Sequence, residues 1–183
     1  MSKIIVFFGS PRKEGNTAKL INQIIAGAKS VGTEIVTYDL NEEGVRGCQG
    51  CYYCRVHDGC AINDTLQPMY KEIKEADGIV AGFPIYFADI GAQSKTILDR
   101  LFPMLAGDFS PRNPGKKFVT VYSQGQPDGT LYTSAMDKNN AVLMGFGWGM
   151  VESLLCHGDL EPGYEIPQAL LDKAFESGKQ LVR

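Results

Sequence analysis

The sequence predicts an α/β fold in which a parallel sheet is covered by helices on both faces. Three observations carry this expectation. Short continuous apolar runs have the pattern of strands buried on both sides, apolar residues recur at helical spacing between them, and small-residue loops close the runs. The chain has 183 residues, close to one domain at about 150 residues each, so 1–183 reads as a single unit without repeat or linker. Ile4-Ile5-Val6-Phe7-Phe8, closed by Gly9, is the first strand. Leu20, Ile21, Ile24, Ile25 and Ala28 then follow the period of an amphipathic helix. Glu34 to Leu40 alternates as a second strand, and Gly78 to Phe83, Phe118 to Tyr122 and Met150 to Cys156 read as the third, fourth and fifth. Helical spacing returns at Ile97, Leu98, Leu101, Phe102 and Leu105, across Leu131 to Leu143, and at Leu170, Leu171, Ala174 and Phe175. Pro167, just before the last group, fits a helix's first turn.

Five strands in so short a chain suit a flavodoxin-like three-layer α/β/α arrangement, a five-stranded parallel sheet in the order 2-1-3-4-5. In such a sheet ligands gather beyond the carboxyl ends of strands one and three. The chain carries 18 basic and 21 acidic residues, a net charge of −3, and no basic stripe, which argues against a nucleic-acid partner. Ile4 to Phe8 is too short for the apolar part of a signal peptide. The most apolar stretch, Ala141 to Cys156, is broken by Gly145, Gly147, Gly149 and Glu152 and falls short of the roughly 20 residues a bilayer needs. The expectation is therefore a cytoplasmic protein with no membrane partner. In that reducing compartment clustered cysteines act as metal ligands or redox groups more often than as disulfides.

The loop Gly9-Ser10-Pro11-Arg12-Lys13-Glu14-Gly15-Asn16-Thr17 joins the first strand to its helix. Its backbone N–H groups, the hydroxyls of Ser10 and Thr17, the Asn16 amide, the Arg12 guanidinium and the helix dipole together suit a phosphate. Gly15 is followed by Asn16 and not by Lys-Ser/Thr, which excludes a Walker loop, and the dinucleotide glycine fingerprint is missing as well. A monophosphate such as that of FMN is left. The structural alternative is that Asn16 or Thr17 merely caps the helix while Gly9 and Gly15 make turns. Two further loops should face the same crevice, Pro84 to Asp89 after the third strand and Ser123 to Gly129 after the fourth.

Gly9-Ser10-Pro11-Arg12 with Gly15-Asn16-Thr17, and Phe83-Pro84-Ile85-Tyr86-Phe87 leading to Lys95, Leu98, Asp99 and Arg100, resemble the NADPH-dependent FMN reductase-like branch of flavodoxin-fold proteins, over nearly the whole chain. The resemblance implies that Ser10, Arg12, Asn16 and Thr17 hold the FMN phosphate. It places Pro84, Ile85, Tyr86 and Phe87 against the isoalloxazine ring, with Ser123, Gln124 and Gly125 as a third flavin loop. The aromatic faces of Tyr86 and Phe87 suit ring stacking, and they equally suit core anchoring. Asp89, Asp99 and Arg100 read as charges on a solvated helix face.

Cys48, Cys51, Cys54 and Cys60 form a C-x2-C-x2-C-x5-C pattern in a loop over 47–60, after the second strand. Such spacing lets a loop fold several thiolates around one centre, with Gly47, Gly50 and Gly59 giving backbone freedom. Read from the residues alone, an iron-sulfur cluster, a zinc ion and free or redox thiols all remain open. The pattern also resembles the iron-sulfur flavoproteins, a branch of the same family, and that resemblance implies a 4Fe-4S cluster. His57 reads as a solvated loop residue and Cys156 as a buried small hydrophobe. A cysteine loop leaving strand two begins about 4.8 Å, one strand spacing, from the strand of the phosphate loop, so cluster and flavin are expected to share an edge.

No hydrolytic constellation is present, and no catalytic side chain is assigned. The expected function is FMN-dependent electron transfer from NAD(P)H or a reduced carrier such as ferredoxin to a small-molecule or protein acceptor, through a 4Fe-4S cluster. A cluster-free NAD(P)H-dependent FMN or quinone reductase and a non-enzymatic FMN carrier are the alternatives. The resemblance further implies a homodimer or homotetramer.

Overall fold

The computed structural model describes residues 2–160 and 164–182. The first strand, β1 (Lys3–Phe8), leads through the loop at 9–15 into helix α1 (Asn16–Lys29) and back to β2 (Glu34–Asp39). A long connection holds the short helices α2 (Tyr53–Val56) and α3 (Met69–Glu75). Then come β3 (Gly78–Tyr86), a two-residue β4 (Asp89–Ile90), α4 (Ala92–Arg100), a 3-10 turn at Phe102–Met104, and β5 (Lys117–Gln124). Helix α5 (Thr133–Gly145), β6 (Gly149–His157) and α6 (Gln168–Gln180) complete the order.

The parallel strands run β2-β1-β3-β5-β6, the expected 2-1-3-4-5 order, but the sheet has six strands and not five. The addition is β4, antiparallel to the end of β3 through Ile85↔Ile90 and Tyr86↔Asp89. Its hairpin turn puts Phe87 and Ala88 at φ +48° and +73°. Left-handed backbone at both central residues matches the right-handed strand twist, but the usual sequence signal for it is Asn-Gly or Asp-Gly. Two L side chains without that chemistry concealed the hairpin from sequence reading.

Alternation along each strand divides the core in two. Ile4, Val6, Val80, Val119, Val121 and Leu154 face α1 and α6, while Ile5, Phe7, Ile79, Phe83, Phe118 and Tyr122 face α3, α4 and α5. Between α1 and α6 the backbones approach so closely that a Cβ on Gly27 would collide with the Phe175 carbonyl, and one on Gly178 with the Ile24 carbonyl. The register pairs Phe8 with Gly82, Pro84 with Ser123, and Ser123 with Cys156, so the loops after β1, β3, β5 and β6 leave one edge together. At the first of these exits an added Cβ on Gly9 would come nearer than 3.0 Å to the Gly82 carbonyl oxygen and the Ser94 hydroxyl. Only glycine lets the loop at 9–15 turn away so tightly.

Candidate functional site

Among the described residues helix α1 begins without a side-chain cap, with Gly15 at the N-cap. Its first-turn N–H groups therefore stay open to a ligand, which removes the reading of Asn16 or Thr17 as a simple cap. The Thr17 hydroxyl instead meets the Ser123 hydroxyl at 2.7 Å in a buried pair. Asn16 Nδ2 donates to Asp159 Oδ2 at 3.2 Å, and the Ser10 hydroxyl accepts the Arg12 N–H at 3.2 Å. Arg12 and Asn16 line a cavity of about 330 Å³ with Glu14, Gly15 and Asp159. Lys13 is ion-paired with Asp39.

A second cavity, of about 260 Å³, is lined by Ile85, Tyr86, Phe87, Gln124 and Gly125, with Ala88, Gln126, Tyr132 and Leu160. Phe87 is fully exposed at its rim, and Tyr86 is partly exposed. Gln124 is buried; its amide nitrogen donates to the Asp128 carbonyl at 2.7 Å, and its Oε1 is a buried acceptor with no hydrogen-bond partner among the described residues. Leaving such an acceptor unmatched costs about 1–3 kcal/mol, so the site suits a guest that brings an N–H. An open helix N-terminus at one cavity and an orphan acceptor beside aromatic surface at the next fit a phosphate-bearing heteroaromatic ring such as FMN.

Of the residues expected here, Arg12 and Asn16 meet in the first cavity and Ile85, Tyr86, Phe87, Gln124 and Gly125 in the second. Ser10, Thr17, Pro84 and Ser123 stand behind the walls, with the Pro84 carbonyl accepting the Gly91 N–H at 2.9 Å. Sequence reading missed Asp159 and Leu160, although their position just beyond the carboxyl end of β6 was the available signal.

All four clustered cysteines line one cavity of about 220 Å³, closed on its far side by Asp99, Arg100, Phe102 and Pro103. Cys48 and Cys51 are exposed, Cys54 and Cys60 half-buried. Left-handed Gly50, Tyr52 and Gly59 bend the loop around this space. The Cys48 sulfur accepts the Gly50 N–H at 3.4 Å and the Cys60 sulfur the Ile62 N–H at 3.5 Å. Burial pushes the Cys54 thiol above the ordinary value, and the nearby Cys60, Cys48 and Cys51 add to the rise. Among the described residues no three Cys, His, Asp or Glu side chains close on a point that would hold a single metal ion. The four cysteines that line this cavity bring the soft thiol donors that an iron-sulfur cluster or a zinc ion takes.

The cysteine cavity has no lining residue in common with either flavin-side cavity. It lies at the Arg100 end of α4, whereas Gly91 at the opposite end donates its N–H to the Pro84 carbonyl of the edge loop. Nine residues of helix separate them, about 13 Å at 1.5 Å per residue. The cysteine loop packs toward α3 through the Asp58–Lys74 ion pair and toward α4 through the Arg46 carbonyl and Arg100, so its cavity and those of the edge loops have separate walls in one chain. Arg100, read as a solvated charge, is in fact only 1% exposed. Asp89 and Asp99 do stay on the surface, paired with Lys138 and Lys95. His57 is exposed and stacks on Tyr53 at 4.0 Å. Cys156 is buried 3.0 Å from the Tyr164 hydroxyl.

Residues 2–146 match the NADPH-dependent FMN reductase family. An iron-sulfur flavoprotein of Methanocaldococcus jannaschii is 38% identical over 87% of the chain and 78% of its own length. One from Archaeoglobus fulgidus is 24% identical over 96% of the chain and 81% of its own. Among solved structures, an NAD(P)H:quinone oxidoreductase from Methanothermobacter marburgensis superposes with a TM-score of 0.77 over 98% of the chain and 96% of its own at 19% identity. An azoreductase from Bacillus anthracis does so with a TM-score of 0.71 over 98% and 100% at 19% identity, and at such identities the likeness shows the fold. Among the described residues no helix is long and apolar enough to cross a membrane.

Proposed function

Since the chain belongs to the NADPH-dependent FMN reductase family, within which it groups with the iron-sulfur flavoproteins, and is an FMN-dependent oxidoreductase, we propose that it holds FMN at the edge loops and a 4Fe-4S cluster on Cys48, Cys51, Cys54 and Cys60. The observation that carries this reading is the single cavity walled by all four cysteines. When bound, the flavin supplies two-electron and one-electron chemistry and the cluster one-electron chemistry.

The chain's own residues bind and orient. The open N-terminus of α1, with Arg12, Ser10, Asn16 and Thr17, holds the phosphate, and the Thr17–Ser123 pair fixes the floor between two loops. Pro84 to Phe87 and Ser123 to Gly125 flank the ring, where Gln124 Oε1 offers an acceptor to a ring N–H. NAD(P)H or a reduced carrier such as ferredoxin is the donor in this reading, and a small molecule or protein the acceptor. The distance along α4 between the two sites favours an assembly, a homodimer or homotetramer, in which sites of different chains approach. A reducing cytoplasm suits four free thiols.

The test is anaerobic purification followed by iron, acid-labile sulfide and flavin analysis. The expected result is four iron and four sulfide with one FMN per chain, and a broad absorption shoulder that bleaches on reduction. FMN without iron or sulfide would leave a cluster-free reductase. A colourless chain that refuses added FMN would remove the flavin assignment itself.

A further inference from the structure

Arg100 is neither a flavin-loop residue nor a thiol, yet it lines the cysteine cavity while almost wholly buried. Its Nη1 donates to the Arg46 carbonyl at 2.7 Å and to Asp64 Oδ2 at 2.6 Å, Nη2 donates to Asp64 Oδ1 at 3.0 Å, and Nε to the Tyr70 hydroxyl at 3.1 Å. The Tyr70 hydroxyl donates in turn to the Arg100 carbonyl at 2.9 Å. Asp64 also accepts the Arg46 N–H at 3.0 Å and the Leu66 N–H at 3.1 Å. Arg46 precedes Cys48 and Asp64 follows Cys60, so one side chain at the end of α4 fastens both ends of the cysteine loop.

A guanidinium has five N–H donors. Among the described residues these bonds use four. The fifth, on Nη2, lies on the edge that Nε shares, which is the edge Tyr70 occupies, and Cys60 lines the same cavity as Arg100. Two other arginines brace the loop differently. Arg112 reaches the Cys54 and His57 carbonyls at 3.3 Å, and Arg55 packs against Phe102 and Phe109, but neither lines the cavity.

We propose that Arg100 is a positioning residue for the four-cysteine site, pinning both ends of the loop and donating its remaining N–H to the Cys60 sulfur. This inference rests on the cluster reading above. Hydrogen bonds to ligating sulfur raise a cluster's reduction potential. Lysine would keep the charge but lacks the planar fork that engages Asp64 and the Arg46 carbonyl together.

The test compares wild type with Arg100→Lys, FMN binding serving as the control for folding. After anaerobic reconstitution with ferrous iron and sulfide, R100K should incorporate less than half the wild-type iron, and the reduced-to-oxidised ratio of the cluster at a fixed potential should fall about tenfold, equal to about 59 mV for one electron. Wild-type protein labelled with 15N-arginine should show arginine nitrogen coupled to the reduced cluster by electron-nuclear double resonance, a signal that a merely structural role would not produce. In the metal-free chain, amide exchange over residues 46–64 should be at least tenfold faster in R100K. Equal loading with an unchanged ratio, or no 15N coupling in wild type, overturns the N–H···S donation, and unchanged exchange overturns the pinning. Wild type that takes up neither iron nor sulfide fails the cluster reading instead, and the metal-free exchange result then decides the pinning by itself.

Discussion

Replacing Gly9 by alanine should damage phosphate binding far more than ring binding. The added Cβ would meet the Gly82 carbonyl oxygen and the Ser94 hydroxyl, both nearer than 3.0 Å. Ser94 can rotate, but Gly82 is paired with Phe8 in the middle of the sheet and its carbonyl cannot retreat freely. Overpacking of this kind costs about 1–3 kcal/mol, and the backbone partner puts Gly9→Ala toward the upper end. The strain is relieved most easily by moving residues 10–15, which leave the sheet at this point. Hydrogen bonds to a charged partner are worth about 1.5–3 kcal/mol each. Losing one therefore weakens FMN binding about 10- to 150-fold at 1.4 kcal/mol per decade. Flavin fluorescence titration measures this directly, with riboflavin, which lacks the phosphate, as the comparison. The expected outcome is a large rise in Kd for FMN and a change below threefold for riboflavin. A G9A protein that binds FMN within threefold of wild type and unfolds at the same urea concentration refutes the close-approach argument.

Asp64→Asn leaves the Arg100 guanidinium buried without its charged partner, a loss of about 3–5 kcal/mol that thermal unfolding would report as a Tm lower by roughly 6–20 °C. Burial alone would push the Asp64 carboxyl up, but the Arg100 hydrogen bonds and charge with the Arg46 and Leu66 N–H groups outweigh it and hold the carboxyl below its usual range. A depressed folded value means that its stabilisation is complete above about pH 4. It disappears as pH falls through the lowered folded value, so urea titrations below pH 4 should lose stability less steeply in D64N than in wild type. In the reduced, metal-free chain iodoacetamide at pH 8 should label exposed Cys48 and Cys51 before Cys54 and Cys156, whose thiols burial pushes up, as peptide mass mapping over time would show. Placing Asn-Gly at Phe87 and Ala88 should stabilise the β3–β4 turn by about 1–2 kcal/mol by relieving left-handed strain, measured as the urea midpoint times m.

What the sequence revealed was whatever is written locally. The run Ile4 to Phe8 and the alternation of apolar strands with helical spacing were enough for the order β2-β1-β3-β5-β6, because right-handed crossovers leave few other topologies. The cysteine spacing was likewise visible. Arg100 was misread because a charge on a helix of otherwise mixed polarity normally faces water, and its partners Arg46, Asp64 and Tyr70 are 54, 36 and 30 residues away. No local pattern announces such a pair. Helix α3 escaped for a related reason: Met69, Tyr70 and Ile73 are its only buried positions, too few to establish a period.

The interlock of α1 with α6 bears on how the chain comes off the ribosome. Gly27 and Gly178 allow backbone contact only when both helices exist, and the second is translated about 150 residues after the first. At 5–20 residues per second the nascent β1–α1 unit waits on the order of ten seconds with the flank that α6 will cover still bare. A chain stalled before residue 168 would therefore leave Ala28 and its neighbours uncovered, a natural mark for chaperones and proteases during synthesis.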